Sequence, residues 1–395
     1  MMTQADRVRN VLERVRSAWR GPVPWLVTLA AAGVITLVQY GRVLDTPFAY
    51  GDMSLGASDT AVYVRYLSEG QTFRSIFLQP GPTPGHYRPL TYLWMVADYA
   101  LWGERAWGFR FGTLIVFMAG LAVLGLLVAR IAHCRMPGLA AIIIFAMFGP
   151  HYAVLTWIWA RGDVLCGLFY LGALLALASA RRPWIWSPLL AAGAIATKET
   201  AVSLPLLATM WTAIEFRRRR WAHVAALAGM WAAVGGYLLV RWSLYGQVVP
   251  GQIGYPVSWS LFLRNYVSFV AGPVADLLHA PRMFMLSPWT LIYAPFWSFV
   301  FEQVVFWFCV VLLARGCPRA AAAFLMWKAV VYLPVMRYVI NLRGLWHYTY
   351  LPAMGSAMLT GLVAWQAWPV AVGWQKRLAV ALFPVRFAPK NEAGE

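Results

Sequence analysis

Long apolar runs alternate with short polar segments along the whole chain. Six runs approach or exceed the about 18–20 apolar residues that a helix needs to cross a bilayer core. They are 24–40, 110–131, 163–179, 222–240, 289–314 and 348–366. Shorter runs at 138–155, 184–198, 201–215 and 319–336 are ambiguous by length, but they must cross too if the charged loops are to alternate between the two sides. The pattern therefore predicts an all-α, polytopic membrane protein of about ten transmembrane helices.

Clusters of basic residues fix the predicted orientation, because cytoplasmic loops carry an excess of Lys and Arg. After five arginines before the first span, the clusters occur in alternate loops, at 130–135, 181–182, 217–220, 315–319 and 376–377. We therefore expect both termini in the cytoplasm. The net charge of +18 belongs to these loops, so nucleic acid is not an expected partner. Only four of the 33 basic residues are lysines, a bias typical of GC-rich bacteria, and we expect a bacterial inner membrane protein.

No repeat or polar linker divides the chain, which predicts one transmembrane domain over 23–368. An amphipathic interfacial helix is expected at 1–22 and a cytoplasmic tail at 369–395. Two long outer loops are predicted, 41–109 and 241–287, and loops of this length are often functional. Inside the first loop, the apolar stretch 89–103 is short and contains Asp98. It predicts a juxtamembrane helix that lies along the membrane surface or dips into it.

Charged residues gather at the predicted outer ends of the helices, where they are candidate functional groups. The candidate carboxylates are Asp52 and Asp59. The candidate cations are Arg88, Arg161, Lys198, Arg337, Arg343 and His347. A carboxylate beside fixed cations suits group transfer from a lipid phosphate, because the carboxylate takes a proton from the acceptor hydroxyl while the cations neutralise the departing phosphate. No metal-ligand spacing of Cys or His occurs, so neither metal nor cofactor is expected.

Structural roles compete with these assignments. Asp52 would also serve as the cap of a surface helix. Arg161 and Asp163 would form a pair that stabilises the start of a span, and Glu199 would be the local partner of Lys198. A lysine in the middle of a predicted span, Lys328, is expected to snorkel towards the cytoplasm.

Five segments carry a further pattern: HYRPLTYL (86–93), WIWARGDVLCGLFYLGALLAL (157–177), ATKETAVSLPLL (196–207), FLMWKAVVYLPV (324–335) and HYTYLPAMG (347–355). In order and spacing they resemble segments of GT-C type glycosyltransferases, in particular the membrane portion of TMTC-type protein O-mannosyltransferases and their bacterial relatives. The resemblance covers residues 24–366. The TPR array of TMTC proteins is not found in this sequence.

The resemblance implies a sugar donor linked to a polyprenyl phosphate and a catalytic acid pair in the first outer loop, written Phe-x-x-Asp-Asp in the family. Here residues 48–52 are FAYGD, so only the second acid is present. Asp52 is the expected general base, and Asp59 is the replacement candidate if the loop has shifted. A protonated His347 would hold a phosphate at the position where relatives have Arg.

The expected function is transfer of a monosaccharide from a polyprenyl-phosphate carrier to a hydroxyl acceptor, a protein or a glycan, on the periplasmic face. Membrane lipids and other membrane proteins are further expected partners. The alternative is a catalytically degenerate homologue that acts as a scaffold or subunit of a membrane complex, which Gly51, Ala153 and Trp346 favour because relatives carry acids at these positions. A transporter is less suited, since transporters hold ionisable groups near the bilayer midplane, whereas these charges gather at one face.

The basic clusters predict the topology directly. A reporter fused within 217–220 is expected on the cytoplasmic side, and one fused beside Asp52 on the other side, because the arginines resist translocation. Paired alkaline phosphatase and fluorescent protein fusions at both positions measure this. The opposite assignment would remove the argument for an outward-facing site.

Overall fold

The computed structural model describes residues 21–44, 65–82, 85–147, 151–215, 221–247, 307–334 and 350–382. Within these ranges the regular structure is helical, with no strand, as predicted. The α-helices are α1 Val23–Tyr40, α2 Phe73–Leu78, α3 Pro89–Trp102, α4 Ala106–Ala132, α5 Arg135–Ala146, α6 His151–Thr156, α7 Arg161–Ser179, α8 Pro183–Thr197, α9 Leu204–Glu215, α10 Trp221–Tyr245, α11 Trp307–Gly316, α12 Pro318–Tyr332 and α13 Tyr350–Leu382. Single 3-10 turns occur at Gly41–Val43, Ile158–Ala160 and Glu199–Ser203.

Four helical segments of the described chain are long and apolar enough to cross a membrane. They are Val23–Val43, Ala106–Ala132, Ile158–Ser179 and Trp221–Tyr245, with 21 to 27 residues each. They coincide with four of the six long apolar runs, so the chain is a membrane protein by the length and composition of its helices.

Ten spans are not established by this fold. The short runs form α5, α8, α9 and α12, which have 12 to 15 residues. At 1.5 Å per residue such helices are about 18–22 Å long, against a hydrocarbon core of about 30 Å. Of the long runs, 289–314 lies mostly outside the described residues. The run 348–366 begins α13, a helix of 33 residues that is not among the four candidate spans.

The stretch 89–103, predicted as a juxtamembrane helix, forms helix α3 within one residue of its predicted bounds. Pro89 at its first turn has the backbone angle that a helix start requires. Gly103 follows its last residue with φ of 58°, a left-handed conformation that glycine adopts without strain. The helix packs against α4 and α8. The predicted helix at 1–22 and most of the second outer loop lie outside the described residues.

The core is centred on α7, which packs between α4 and α8, while α8 also packs on α10 and α4 on α5. Tyr170 and Leu171 of α7 are completely buried. Lys328 on α12 is also completely buried, with its Nζ 3.4 Å from the hydroxyl of Ser356 on α13. The prediction that Lys328 snorkels was wrong, since a polar group on the neighbouring helix keeps its amine inside the bundle.

The contact between α4 and α5 predicts a large difference between two glycine substitutions. A Cβ at Gly138 would lie 2.3 Å from the Gly125 carbonyl oxygen, whereas one at Gly235 of α10 would meet nothing within 4 Å. Gly138→Ala is therefore expected to cost about 1–3 kcal/mol of unfolding free energy through overpacking. Gly235→Ala is expected to be neutral or to stabilise α10 by about 0.5–1 kcal/mol. Thermal unfolding in detergent measures both, and equal midpoints for the two variants would contradict this contact.

Candidate functional site

Ionisable side chains from four segments of the chain meet where α7 begins and α8 ends. We call this set the junction cluster, and its members are His86, Arg88, Asp163, Lys198, Glu199 and Arg241. The cluster depends on a break in the helix: α8 ends at Thr197, and Lys198 has extended backbone angles of −155° and 137° before a 3-10 turn begins at Glu199. The break directs the two neighbouring charges to different partners.

Lys198 forms a buried ion pair with Asp163, which lies in the first turn of α7. The lysine Nζ donates to both carboxylate oxygens, at 2.5 Å and 2.6 Å. The two side chains are 2% and 6% exposed. The pair holds the start of α7 against the end of α8. Because Lys198 bonds both carboxylate oxygens, each of the two buried charges is offset by the other inside the apolar bundle.

Glu199 accepts two hydrogen bonds from Arg88, which immediately precedes α3. The distances are 2.8 Å from Nε to Oε2 and 2.5 Å from Nη2 to Oε1. His86 adds a third polar group, with Nδ1 3.3 Å from Glu199 Oε1 and 3.2 Å from Arg88 Nη2. Burial by itself raises the pKa of the Glu199 carboxyl, but Arg88 and His86 outweigh burial and hold this pKa well below its usual value. Glu199 is therefore ionised at neutral pH.

The start of α3 is fixed against the same helix end by Thr91. Its hydroxyl donates to the carbonyl of Thr197 at 2.8 Å, and this carbonyl belongs to the last turn of α8, where helix acceptors lack internal partners. Gly162 permits the contact, since a Cβ there would come within 2.8 Å of the Thr91 hydroxyl oxygen. The Thr91 hydrogen bond thus connects α3 to the end of α8, and Gly162 of α7 lies close beside it.

One face of α10 holds the segment that carries His86 and Arg88. Three side chains of α10, spaced four residues apart and therefore on the same face, donate hydrogen bonds to three consecutive carbonyls of this segment. They are Tyr237 to Tyr87 at 3.2 Å, Arg241 to Gly85 at 2.5 Å and Tyr245 to His86 at 2.9 Å. The segment before α3 is consequently fixed in place by its backbone as well as by the Arg88 side chain.

Arg161, the first residue of α7, pairs with Asp98 of α3. Its Nη2 donates to Asp98 Oδ2, and its guanidinium carbon lies 3.5 Å from the centre of the Trp94 ring. Arg161 is completely buried, and its Nε and Nη1 make no hydrogen bond. Gly112 of α4 provides the room, because a Cβ there would lie 3.2 Å from Asp98 Oδ2. This pair explains why an acidic residue interrupts the apolar stretch of α3.

Three of the eight candidate residues lie in the described part of the chain: Arg88, Arg161 and Lys198. The structure brings Arg88 and Lys198 into one cluster and places Arg161 two residues before Asp163. Each of the three is paired with a carboxylate. The remaining candidates lie outside the described residues: Asp52, Asp59, Arg337, Arg343 and His347.

Two predicted pairings were wrong. Arg161 pairs with Asp98 instead of Asp163, and Lys198 pairs with Asp163 instead of Glu199. Arg161 and Asp163 are two positions apart in the first turn of α7, and such residues do not face each other. Lys198 and Glu199 are separated by the break after α8, where the extended backbone of Lys198 directs the two side chains to different partners. Sequence reasoning also did not single out Arg241, which the structure places in the junction cluster. The signal was present, since Tyr237, Arg241 and Tyr245 are spaced by four at the end of an apolar span.

The described residues contain no group of three or more His, Cys, Asp or Glu side chains that would hold a metal ion. What the junction cluster offers chemically is a set of oriented cations in a region from which water is largely excluded. Such an arrangement would attract a negatively charged group strongly, because the interaction between two charges is stronger in a medium of low dielectric constant than in water.

The Lys198–Asp163 pair makes a test of its structural role possible. Lys198→Met leaves Asp163 buried without its cation and is expected to cost about 3–5 kcal/mol of unfolding free energy. The double variant Lys198→Met/Asp163→Leu removes both charges and is expected to recover most of this loss. Unfolding in a denaturing detergent measures both, with the exposed Arg65→Met as the control that should not move the midpoint. A double variant less stable than the single one would contradict the pairing.

Comparisons of the chain with protein-family models, with curated proteins and with solved structures find no match.

Proposed function

We propose that this chain is a membrane glycosyltransferase that moves a monosaccharide from a polyprenyl-phosphate carrier to a hydroxyl acceptor, a protein or a glycan. The observation that carries the proposal is the junction cluster, in which Arg88 and Lys198 meet although Arg88 lies 111 positions before its partner Glu199. Buried cations gathered from distant segments are costly to maintain, and a phosphate-bearing substrate gives such an arrangement a use. The resemblance of five sequence segments to GT-C type enzymes points to the same chemistry.

The proposed setting is a bacterial inner membrane crossed about ten times, with both termini in the cytoplasm. In this topology the ends of α7 and α8 that carry the junction cluster face the periplasm. The isoprenoid chain of the donor would lie between helices, and its phosphate would lie at the membrane surface near the cluster. The acceptor would approach from the aqueous side.

In the proposed reaction, Asp52 takes the proton from the acceptor hydroxyl while the acceptor oxygen forms a bond to the anomeric carbon of the sugar. The bond from that carbon to the phosphate oxygen breaks, and the carrier leaves as a polyprenyl phosphate with an added negative charge. Fixed cations lower the energy of this charge, which is where an electrostatic site contributes most to the rate. The general base contributes about 10²–10⁴-fold.

A second candidate function is that of a catalytically inactive subunit of a membrane complex. Two observations favour it: a glycine at position 51 replaces the first acid of the family motif, and Arg88, Arg161 and Lys198 each already have a carboxylate partner. In this alternative the ion pairs serve only to hold the helices together.

A transfer assay with a polyprenyl-phosphate sugar and a membrane fraction as acceptor distinguishes the two functions. If Asp52 is the base, Asp52→Asn is expected to lower turnover by about 10²–10⁴-fold without changing donor binding. Glu69→Gln is the control, since Glu69 lies in the same predicted loop, is exposed and forms an ion pair with the likewise exposed Arg65. Equal rates for wild type and Asp52→Asn would exclude this base, and dependence on Asp59 instead would indicate a shifted site. Absence of transfer by the wild-type protein would favour the subunit.

A further inference from the structure

Arg241 differs from every other cation of the site in having no carboxylate partner among the described residues. Its side chain is 1% exposed. Nη2 donates to the Gly85 carbonyl, while Nε and Nη1 make no hydrogen bond. The three carboxylates in and beside the cluster are each engaged by another cation: Asp98 by Arg161, Asp163 by Lys198 and Glu199 by Arg88.

The charge count of this region is therefore uneven. Among the described residues, four cations, Arg88, Arg161, Lys198 and Arg241, face three carboxylates, and the excess positive charge resides on Arg241. A buried charge without a counter-ion costs several kcal/mol even after relaxation of its surroundings. The three N–H groups on Nε and Nη1 add the cost of buried donors without acceptors.

Nearby neutral groups do not offset this cost. The Tyr245 ring centre lies 5.6 Å from the guanidinium carbon, a cation–π contact worth about 0.5–2 kcal/mol. Arg241 lies near the carboxyl end of α10, where the helix dipole contributes about 0.3–1 kcal/mol. The Gly85 carbonyl, the Tyr245 ring, the helix dipole and the Tyr237 hydroxyl, which also interacts with Arg241, are neutral groups or partial charges. Together they fall short of what a full negative charge supplies, so the surroundings of Arg241 suit an anion.

We propose that Arg241 is the main phosphate-binding group of this chain and that it binds the phosphate of a polyprenyl carrier. The inference deepens the proposed function, on which it depends for the identity of the lipid. Arginine suits the role because its planar donors match phosphate oxygens and it stays charged when buried. In this assignment Arg88 and Lys198 are positioning residues, since their charges are already neutralised by Glu199 and Asp163.

The position of Arg241 at the end of an apolar helix suits a lipid phosphate. Its helix, α10, is one of the four candidate spans, and Arg241 lies four residues before the end of that span at Tyr245. An arginine so close to a helix end is near the depth at which a lipid headgroup meets the hydrocarbon region. The isoprenoid chain would then extend along the apolar part of the bundle.

The test measures the preference of the protein for a phosphate over the matched alcohol. A short polyprenyl phosphate and the corresponding polyprenyl alcohol are titrated against the full chain in nanodiscs. The wild type is expected to bind the phosphate about 10- to 100-fold more tightly than the alcohol, and Arg241→Gln to lose most of this preference, because a charge-assisted hydrogen bond is removed. Glutamine removes the charge but keeps an amide donor, and a merely structural arginine predicts an unchanged preference.

The matched control is Arg65→Gln, which changes an arginine whose side chain is 83% exposed and should leave the preference intact. Loss of binding to phosphate and alcohol alike would indicate structural damage and overturn the assignment. If Arg241→Gln does not fold, Arg241→Lys replaces it: the charge remains but the planar donors are lost, and an unchanged preference would overturn the assignment.

Two further outcomes separate this inference from the proposed function. A wild-type protein without phosphate preference would contradict both. A wild-type preference that survives in Arg241→Gln would contradict only the role of Arg241. Inorganic phosphate is expected not to displace the lipid at equal concentration, since it lacks the apolar chain, and displacement would assign the site to free phosphate and overturn the lipid assignment.

Discussion

The end of α8 at Thr197 is the constraint on which the described site depends. If the helix continued, Lys198 and Glu199 would lie 100° apart on one cylinder, as neighbouring residues of an α-helix do. The extended conformation of Lys198 instead sends the lysine to α7 and the glutamate to the segment before α3. Two ion pairs and the Thr91 hydrogen bond to Thr197 then join three helices at a single point.

These ion pairs allow the charged side chains to be buried, but they are not a main source of the free energy of folding. Replacing a buried pair with apolar residues is often neutral or favourable, whereas removing one partner costs about 3–5 kcal/mol. In a helical bundle whose surroundings are apolar, Asp163, Lys198, Arg88 and Glu199 therefore each require the partner that the structure gives them.

The long apolar helices and α3 could be predicted because hydropathy and helix-start signals act over neighbouring residues, as Pro89 and Gly103 illustrate. Short helices such as α9 could be recognised as helices, but their 12 residues do not decide whether they cross a membrane. The pairings could not be predicted. Asp163 and Lys198 are 35 positions apart, and Asp98 and Arg161 are 63 apart, so only the packing of the helices brings them together.

Arg241 and the Arg88–Glu199 pair both involve the short segment 85–88 that precedes α3. Arg241 holds the carbonyl of Gly85, and three residues later Arg88 binds Glu199. An anion at Arg241 would satisfy the two nitrogens that the protein leaves without acceptors while Nη2 keeps its bond to Gly85. In that proposal the anion uses the charge of Arg241, so the Arg88–Glu199 and Lys198–Asp163 pairs would stay intact and continue to hold the helices together. Groups held in place in this way suit electrostatic catalysis, because groups already oriented towards a developing charge need no rearrangement during the reaction.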